Sequence, residues 1–221
     1  MPLASTCVEP AGAPLGAPQD SSPHASYLLL AAALLLVLFG LATGSALHHS
    51  PVVTEGSFVA RGWAFGRAGR LLPATQPPLA LLAGMGVLLE PGLPHPAELP
   101  GWEPPDAARL SQALLWQSGV DVDRALFLAR LPTIWLALLL GAVVWRWARE
   151  LYGWWAAVLA LTLYASSPNV LAFAGLATPD LGTAALYIAA LYTWGRLLIS
   201  GRRRWFLLAA LLLGLSLSIS F

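Results

Sequence analysis

Two carboxylates, Glu55 and Asp180, one arginine, Arg130, and one amide, Gln76, stand at the edges of long apolar runs. These are the residues whose type and position can do chemistry. A carboxylate can take a proton or hold a metal ion. A guanidinium offers a flat fork of donors suited to phosphate or carboxylate. An ionisable group at membrane depth is costly and usually functional, which singles out Asp180 at the mouth of one apolar run and Arg130 near the start of another. Each also has a plain structural use. Glu55 can be a solvated loop acid and Asp180 a helix N-cap. Arg130 can pair with Asp121 or Asp123, or reach back to the interface with its charged tip. His48, His49 and His95 read as surface residues. Trp63, Trp102 and Trp116 can stack on a sugar, but tryptophan is also a membrane-interface anchor.

The charged groups are few. Only 10% of the 221 residues are charged and 57% are hydrophobic, whereas a soluble domain carries about 25% charged residues. All twelve cations are arginine, against eleven acids, for a net charge of +1. That balance excludes an ordinary soluble enzyme and offers no basic surplus for nucleic acid. The single cysteine, Cys7, excludes an intramolecular disulfide and a cysteine-rich metal site.

The elements that must position these residues are membrane helices. Residues 27–46 form an uncharged run of twenty, long enough to cross a bilayer. The 26 residues before it hold no arginine or lysine, and the run is too long for a signal peptide, so it reads as a retained anchor. Further spans are expected over 125–145, 154–177, 181–200 and 205–221. Ser166-Ser167-Pro168 predicts a kink, and the chain should turn near 173–179. The sequence stops inside the fifth apolar run, so the chain reads either as truncated or as ending in an unusually bare membrane helix.

Residues 1–26 are rich in Ala, Pro, Gly and Ser and are expected to be a disordered cytoplasmic tail. Residues 27–47 are the first span, 48–124 an external loop, and 125–221 the remaining four spans. Orientation follows from arginines in short connections: Arg146 and Arg149 in one, Arg196, Arg202, Arg203 and Arg204 in another. Both should be cytoplasmic, with the N-terminus on the same side. The external loop is too long to be a passive connector. Pro78 to Leu89 predicts a short helix lying in the interface, and 106–118 a second helix, N-capped by Asp106, with Ala107, Leu110 and Leu114 on one face.

The stretch from Arg130 to Asp180 resembles a known family. Arg130-Leu131-Pro132, Tyr152-Gly153, Ser167-Pro168-Asn169 and Thr178-Pro179-Asp180 follow one another as in the family 39 membrane glycosyltransferases. That family includes the protein O-mannosyltransferases, the aminoarabinose lipid A transferases and bacterial phospholipid carrier-dependent enzymes. The resemblance covers roughly residues 27–221. It implies a C-type glycosyltransferase bundle, all-α and integral to the membrane, with about five spans in this chain and one or two interfacial helices. It implies transfer of a sugar from a polyprenyl-phosphate carrier to an acceptor on the external face, often with a divalent metal ion.

On that resemblance Glu55 and Asp180 are the catalytic candidates and the candidate metal ligands, converging at the external mouth of the bundle. Gln76, before Pro77-Pro78-Leu79, and Arg130 are candidates for binding the lipid-linked sugar donor. The sequence departs from the family pattern at Thr54, where an aspartate is usual, and at Phe58, Gln76 and Phe173. The implied location is the bacterial plasma (inner) membrane, multi-pass, with the bilayer, the lipid-linked donor and other membrane subunits as partners and no nucleic acid. A non-catalytic membrane subunit derived from the same fold is the alternative.

Overall fold

The computed structural model describes residues 23–72 and 78–220, and among them every regular element is helical. In chain order these are α1 (Pro23–His48), α2 (Val53–Ala68), a 3-10 helix (Pro78–Leu89), a single 3-10 turn (Pro96–Glu98), α3 (Ala107–Trp116), α4 (Val122–Tyr152), α5 (Trp154–Ala165), α6 (Pro168–Ala174), α7 (Asp180–Ser200) and α8 (Arg203–Ser220).

α1 and α4 are long and apolar enough to cross a membrane. α5 and α6 together make a third candidate, bent by 60° where Ser166 and Ser167 interrupt the helix and Pro168 restarts it. Proline suits the first turn of α6 because the N–H it lacks has no partner there. The exterior supports a bilayer setting. Leu29 and Leu36 of α1 are about 70% exposed (72% and 69%), and Leu139, Trp155, Leu163, Leu198 and Leu207 point outward on later helices. Water would penalise so continuous an apolar belt; hydrocarbon does not.

Small residues fill the helix contacts. Ala31, Leu38, Ala42 and Ala46 make one buried stripe along α1, three of the four being alanines that let backbones approach closely. Around the upper part of that stripe Ile134, Ala137 and Leu140 of α4 meet Ala174, Leu181 and Ala185. Near the other end Tyr27, Trp145, Trp154, Ala157 and Leu161 form a second, aromatic cluster.

The stretch between α1 and α4 folds into a lobe with its own core. Val59, Trp63, Val87, Leu110 and Leu114 pack against Ala125, Leu126 and Ala129 at the start of α4. α3 forms as its pattern predicts: Asp106 Oδ1 accepts from the backbone N–H of Ala108 at 2.9 Å and of Arg109 at 3.1 Å, and Leu110 and Leu114 are buried.

The sequence predicts no helix over α2, yet one forms there. Its glycines at 56, 62 and 66 and its β-branched residues give it weak helix propensity, and burial of Phe58, Val59 and Trp63 supplies what propensity lacks. The helix expected over Pro78–Leu89 is a 3-10 helix packed against both α2 and α4. Gly84 rests on the backbone of Phe58 and Val59, and Gly86 on the carbonyl of Leu128, so closely that a Cβ at either would collide. Leu128 is four residues before Pro132, whose missing N–H leaves that carbonyl without its helical partner. The backbone of Gly86 closes over this gap, with Pro132 Cδ 2.9 Å from where a Cβ would stand.

Candidate functional site

A heavily bonded polar cluster among the described residues sits where the lobe meets the bundle. Glu55 is the third residue of α2, and its side chain turns back toward the start of its own helix, as a glutamate at this position commonly does. It is fully buried (0% exposed) and Arg130, from the third turn of α4, is 1% exposed. Arg130 Nε donates to Glu55 Oε1 at 2.8 Å and Nη2 donates to Oε2 at 2.8 Å. This is a forked, bidentate pair, the strongest form of the contact.

Both partners are otherwise occupied. Glu55 Oε1 also accepts from the backbone N–H of Ala177 at 2.8 Å, and Oε2 from that of Val52 at 3.3 Å. Arg130 Nη1 donates to the carbonyls of Ala46 and His49. Those carbonyls close α1, where the last turn leaves acceptors without helical partners and the helix dipole is negative. One ion pair therefore ties together the end of α1, the start of α2, α4, and the step from α6 to α7.

That geometry corrects the roles read from sequence. Arg130 pairs with neither Asp121 nor Asp123; Asp121 instead caps α4 by accepting from Arg124 N at 3.2 Å. Four donations already engage the Arg130 guanidinium, which leaves it no face for a carrier phosphate. Glu55 is no solvated loop acid, and its four accepted bonds leave no lone pair directed at a shared metal ion. Among the described residues no three His, Cys, Asp or Glu side chains gather as metal ligands. A metal held between Glu55 and Asp180 therefore does not fit these side chains.

Asp180 is the opposite case. It is the first residue of α7, exposed, and its carboxylate makes no hydrogen bond or ion pair among the described residues. The N-cap position belongs to Pro179, so Asp180 is not the cap that α7 could have used. It lines a groove of about 270 Å³ with Asn169, Val170 and Phe173 of α6 and Leu181 and Ala184 of α7. Ala177, held by Glu55, lies three residues before it, so the two backbones are at most ~11 Å apart along the chain. The clasp and the free acid are thus coupled through one short step, in which Thr178 is buried.

The remaining candidates divide by burial. Gln76 lies outside the described residues. Trp63 belongs to the core of the lobe, Trp102 packs under the guanidinium of Arg70 with 4.6 Å from its carbon to the ring centre, and Trp116 is exposed. His49 shares a 2.8 Å hydrogen bond with Ser45, and His95 Nδ1 caps the 3-10 turn at Pro96. Burial in the lobe pushes the Arg61 guanidinium below its usual pKa by disfavouring the charged form.

Sequence reasoning missed a second polar centre, at the opposite end of α4. Glu150 accepts from Arg146 Nε at 3.1 Å, from the Tyr192 hydroxyl at 3.1 Å and from Arg196 Nη1 at 3.4 Å. This joins α4 to α7, with Trp205 of α8 packed on Tyr192 and Arg196. The signal was the lone acid among arginines in a chain with so few charges.

Against known proteins, residues 119–220 match the family model described as dolichyl-phosphate-mannose-protein mannosyltransferase. Over these residues the chain is similar to that family of membrane glycosyltransferases, in line with the family 39 resemblance of the motifs from Arg130 to Asp180. No curated protein and no solved structure matches the chain. The glycosyltransferase segment runs from just before α4 to the end of α8. It contains Arg130, Asp180 and the groove between α6 and α7, whereas Glu55 and the rest of the lobe precede it.

Proposed function

We propose that the protein transfers a sugar from a polyprenyl-phosphate carrier to an acceptor on the external face of a bacterial inner membrane, with Asp180 as the base. The observation that carries this reading is the free, exposed carboxylate of Asp180 beside an apolar groove within the matched glycosyltransferase segment. A carboxylate so placed can take the proton of the acceptor hydroxyl as it attacks the sugar. Val170, Phe173, Leu181 and Ala184 supply apolar surface for an isoprenoid chain, and Asn169 a polar contact at the same mouth. Gln76 remains a candidate for a donor hydroxyl or phosphate. Glu55 and Arg130 act at one remove, by fixing the step that ends in Asp180.

In this reading α1, α4, the bent pair α5–α6, α7 and α8 are five spans. The N-terminus and the arginine-rich end, with Arg146, Arg149, Arg196 and Arg202, face the cytoplasm. The lobe and Asp180 face outward.

The test is transfer of radiolabelled sugar from a polyprenyl-phosphate donor by membranes holding the full-length protein. Asp180→Asn keeps shape and removes the base, so transfer should fall by about 100-fold or more with insertion and thermal stability unchanged. Wild-type transfer in that variant would exclude Asp180 as the base.

A second reading, a non-catalytic membrane subunit of the same fold, is favoured by one observation: the first candidate carboxylate, Glu55, is consumed by structural bonds. Absence of transfer from every polyprenyl-phosphate sugar offered to the full-length protein would select it.

A further inference from the structure

The arginine-rich end holds more cation than its structure uses. The ends of α4, α7 and α8 there carry six arginines (146, 149, 196, 202, 203 and 204) and one acid, Glu150, and Glu150 already accepts from Arg146, Arg196 and Tyr192. Arg149 and Arg204 lie over tryptophan rings, at 4.8 Å from Trp154 and 5.3 Å from Trp205. Arg202 and Arg203 are exposed and have no acidic partner among the described residues. Two donors beneath them, Arg196 Nε and the Trp205 indole Nε1, are buried without an acceptor.

An apolar groove opens directly below. It holds about 290 Å³ and is lined by Tyr187, Ala190, Leu191 and Trp194 of α7 with Ala209 and Leu213 of α8. α7 and α8 are joined by Gly201 and Arg202 alone, so they pack as an antiparallel pair. Trp194 and Ala209 each stand seven residues from that turn, and Tyr187 fourteen. At ~1.5 Å per helical residue the groove extends from roughly 10 to 20 Å below the arginines. That is the depth of acyl chains in one leaflet of a ~30 Å hydrocarbon core, with the arginines at headgroup level.

We infer that this end of the α7–α8 pair is a binding site for one anionic diacyl phospholipid. Its phosphate sits among Arg202, Arg203 and Arg204, and one acyl chain lies in the groove between Trp194, Leu191 and Leu213. Charge complementarity selects an anionic headgroup over a zwitterionic one. The groove selects a lipid over a soluble phosphate. The inference is independent of whether the protein transfers sugar.

Native mass spectrometry of the full chain in detergent tests it, with dioleoyl phosphatidylglycerol and dioleoyl phosphatidylcholine offered at equal concentration. Phosphatidylglycerol should be retained at least fivefold better, since each arginine at a membrane surface contributes about a fivefold preference for anionic lipid. Arg202→Gln with Arg203→Gln, both at exposed positions, should lower that preference by roughly 25-fold or to parity. Leu213→Trp, which fills the groove from a half-exposed position, should reduce retention of phosphatidylglycerol while circular dichroism stays that of the wild type. Equal retention of the two lipids by the wild type would overturn the inference. So would a preference undiminished in the double arginine variant, undiminished retention by Leu213→Trp, or displacement of the lipid by millimolar glycerol 3-phosphate.

Discussion

Breaking the Glu55–Arg130 clasp should be the most damaging single change in the described structure. In Arg130→Met the arginine's stem is roughly kept and its charge is lost. Glu55 then stays fully buried with two backbone N–H donors, from Ala177 and Val52, and no counter-charge. The carbonyls of Ala46 and His49 lose their donor as well. Removing one partner of a buried ion pair costs about 3–5 kcal/mol. In a chain of this size each kcal/mol moves the melting temperature by roughly 2–4 °C, so a fall of about 6–20 °C is expected. Glu55→Gln should act similarly, because its amide turns a donor toward groups that are themselves donors. Arg130→Lys should fall between the wild type and Arg130→Met: the charge remains, but a lysine cannot fork across two carboxylate oxygens and reach two carbonyls. The double variant Glu55→Gln with Arg130→Met should be less harmed than the two single losses added together, since no unpaired charge remains buried. Detergent-solubilised protein followed by thermal unfolding on size-exclusion chromatography provides the assay. A drop under ~2 °C in both single variants, or strict additivity in the double, would refute the argument that this pair holds the lobe to the bundle.

Gly86→Ala places a Cβ against the Leu128 carbonyl and Pro132 Cδ; overpacking of this kind costs about 1–3 kcal/mol, seen as a drop of several degrees in the same thermal assay. Tyr192→Phe removes the hydroxyl shared by Arg146 and Glu150 and should cost about 1 kcal/mol, with helix content by circular dichroism unchanged. In a Cys7→Ser background, a cysteine introduced by His95→Cys should react with an impermeant maleimide from outside intact cells, and one introduced by Arg202→Cys only after the membrane is opened. The reverse pattern would invert the orientation proposed for the five spans.

Much of the architecture was legible in the sequence because it depends on local composition. The run over residues 27–46 has too few polar groups to be anything but a buried or membrane helix, and α1 spans it. The kink at Ser166-Ser167-Pro168 follows from proline's missing N–H, and Asp106 caps α3 because a short acidic side chain reaches the free N–H groups of a first turn. The motifs from Arg130 to Asp180 pointed to the family that residues 119–220 match.

What the sequence could not supply was which polar groups face each other. Glu55 and Arg130 are 75 residues apart and Glu55 and Ala177 are 122 apart, and no local pattern encodes such pairings. Their meeting depends on α2 being a helix, which weak propensity hid and packing of Trp63 and Val59 imposed. On a loop Glu55 would have been a free acid; at the third position of a packed helix it is directed inward, onto a guanidinium. Asp180 is left unpaired by the same arrangement, because Pro179 holds the cap position and Arg130, which is tied to this step through Glu55, is already taken. The sequence by itself determined a bundle of apolar helices and a short list of residues able to act on a substrate. Tertiary structure alone decided that one of the two carboxylates is structural and the other free, since burial and pairing are properties of the space between helices and not of any one of them.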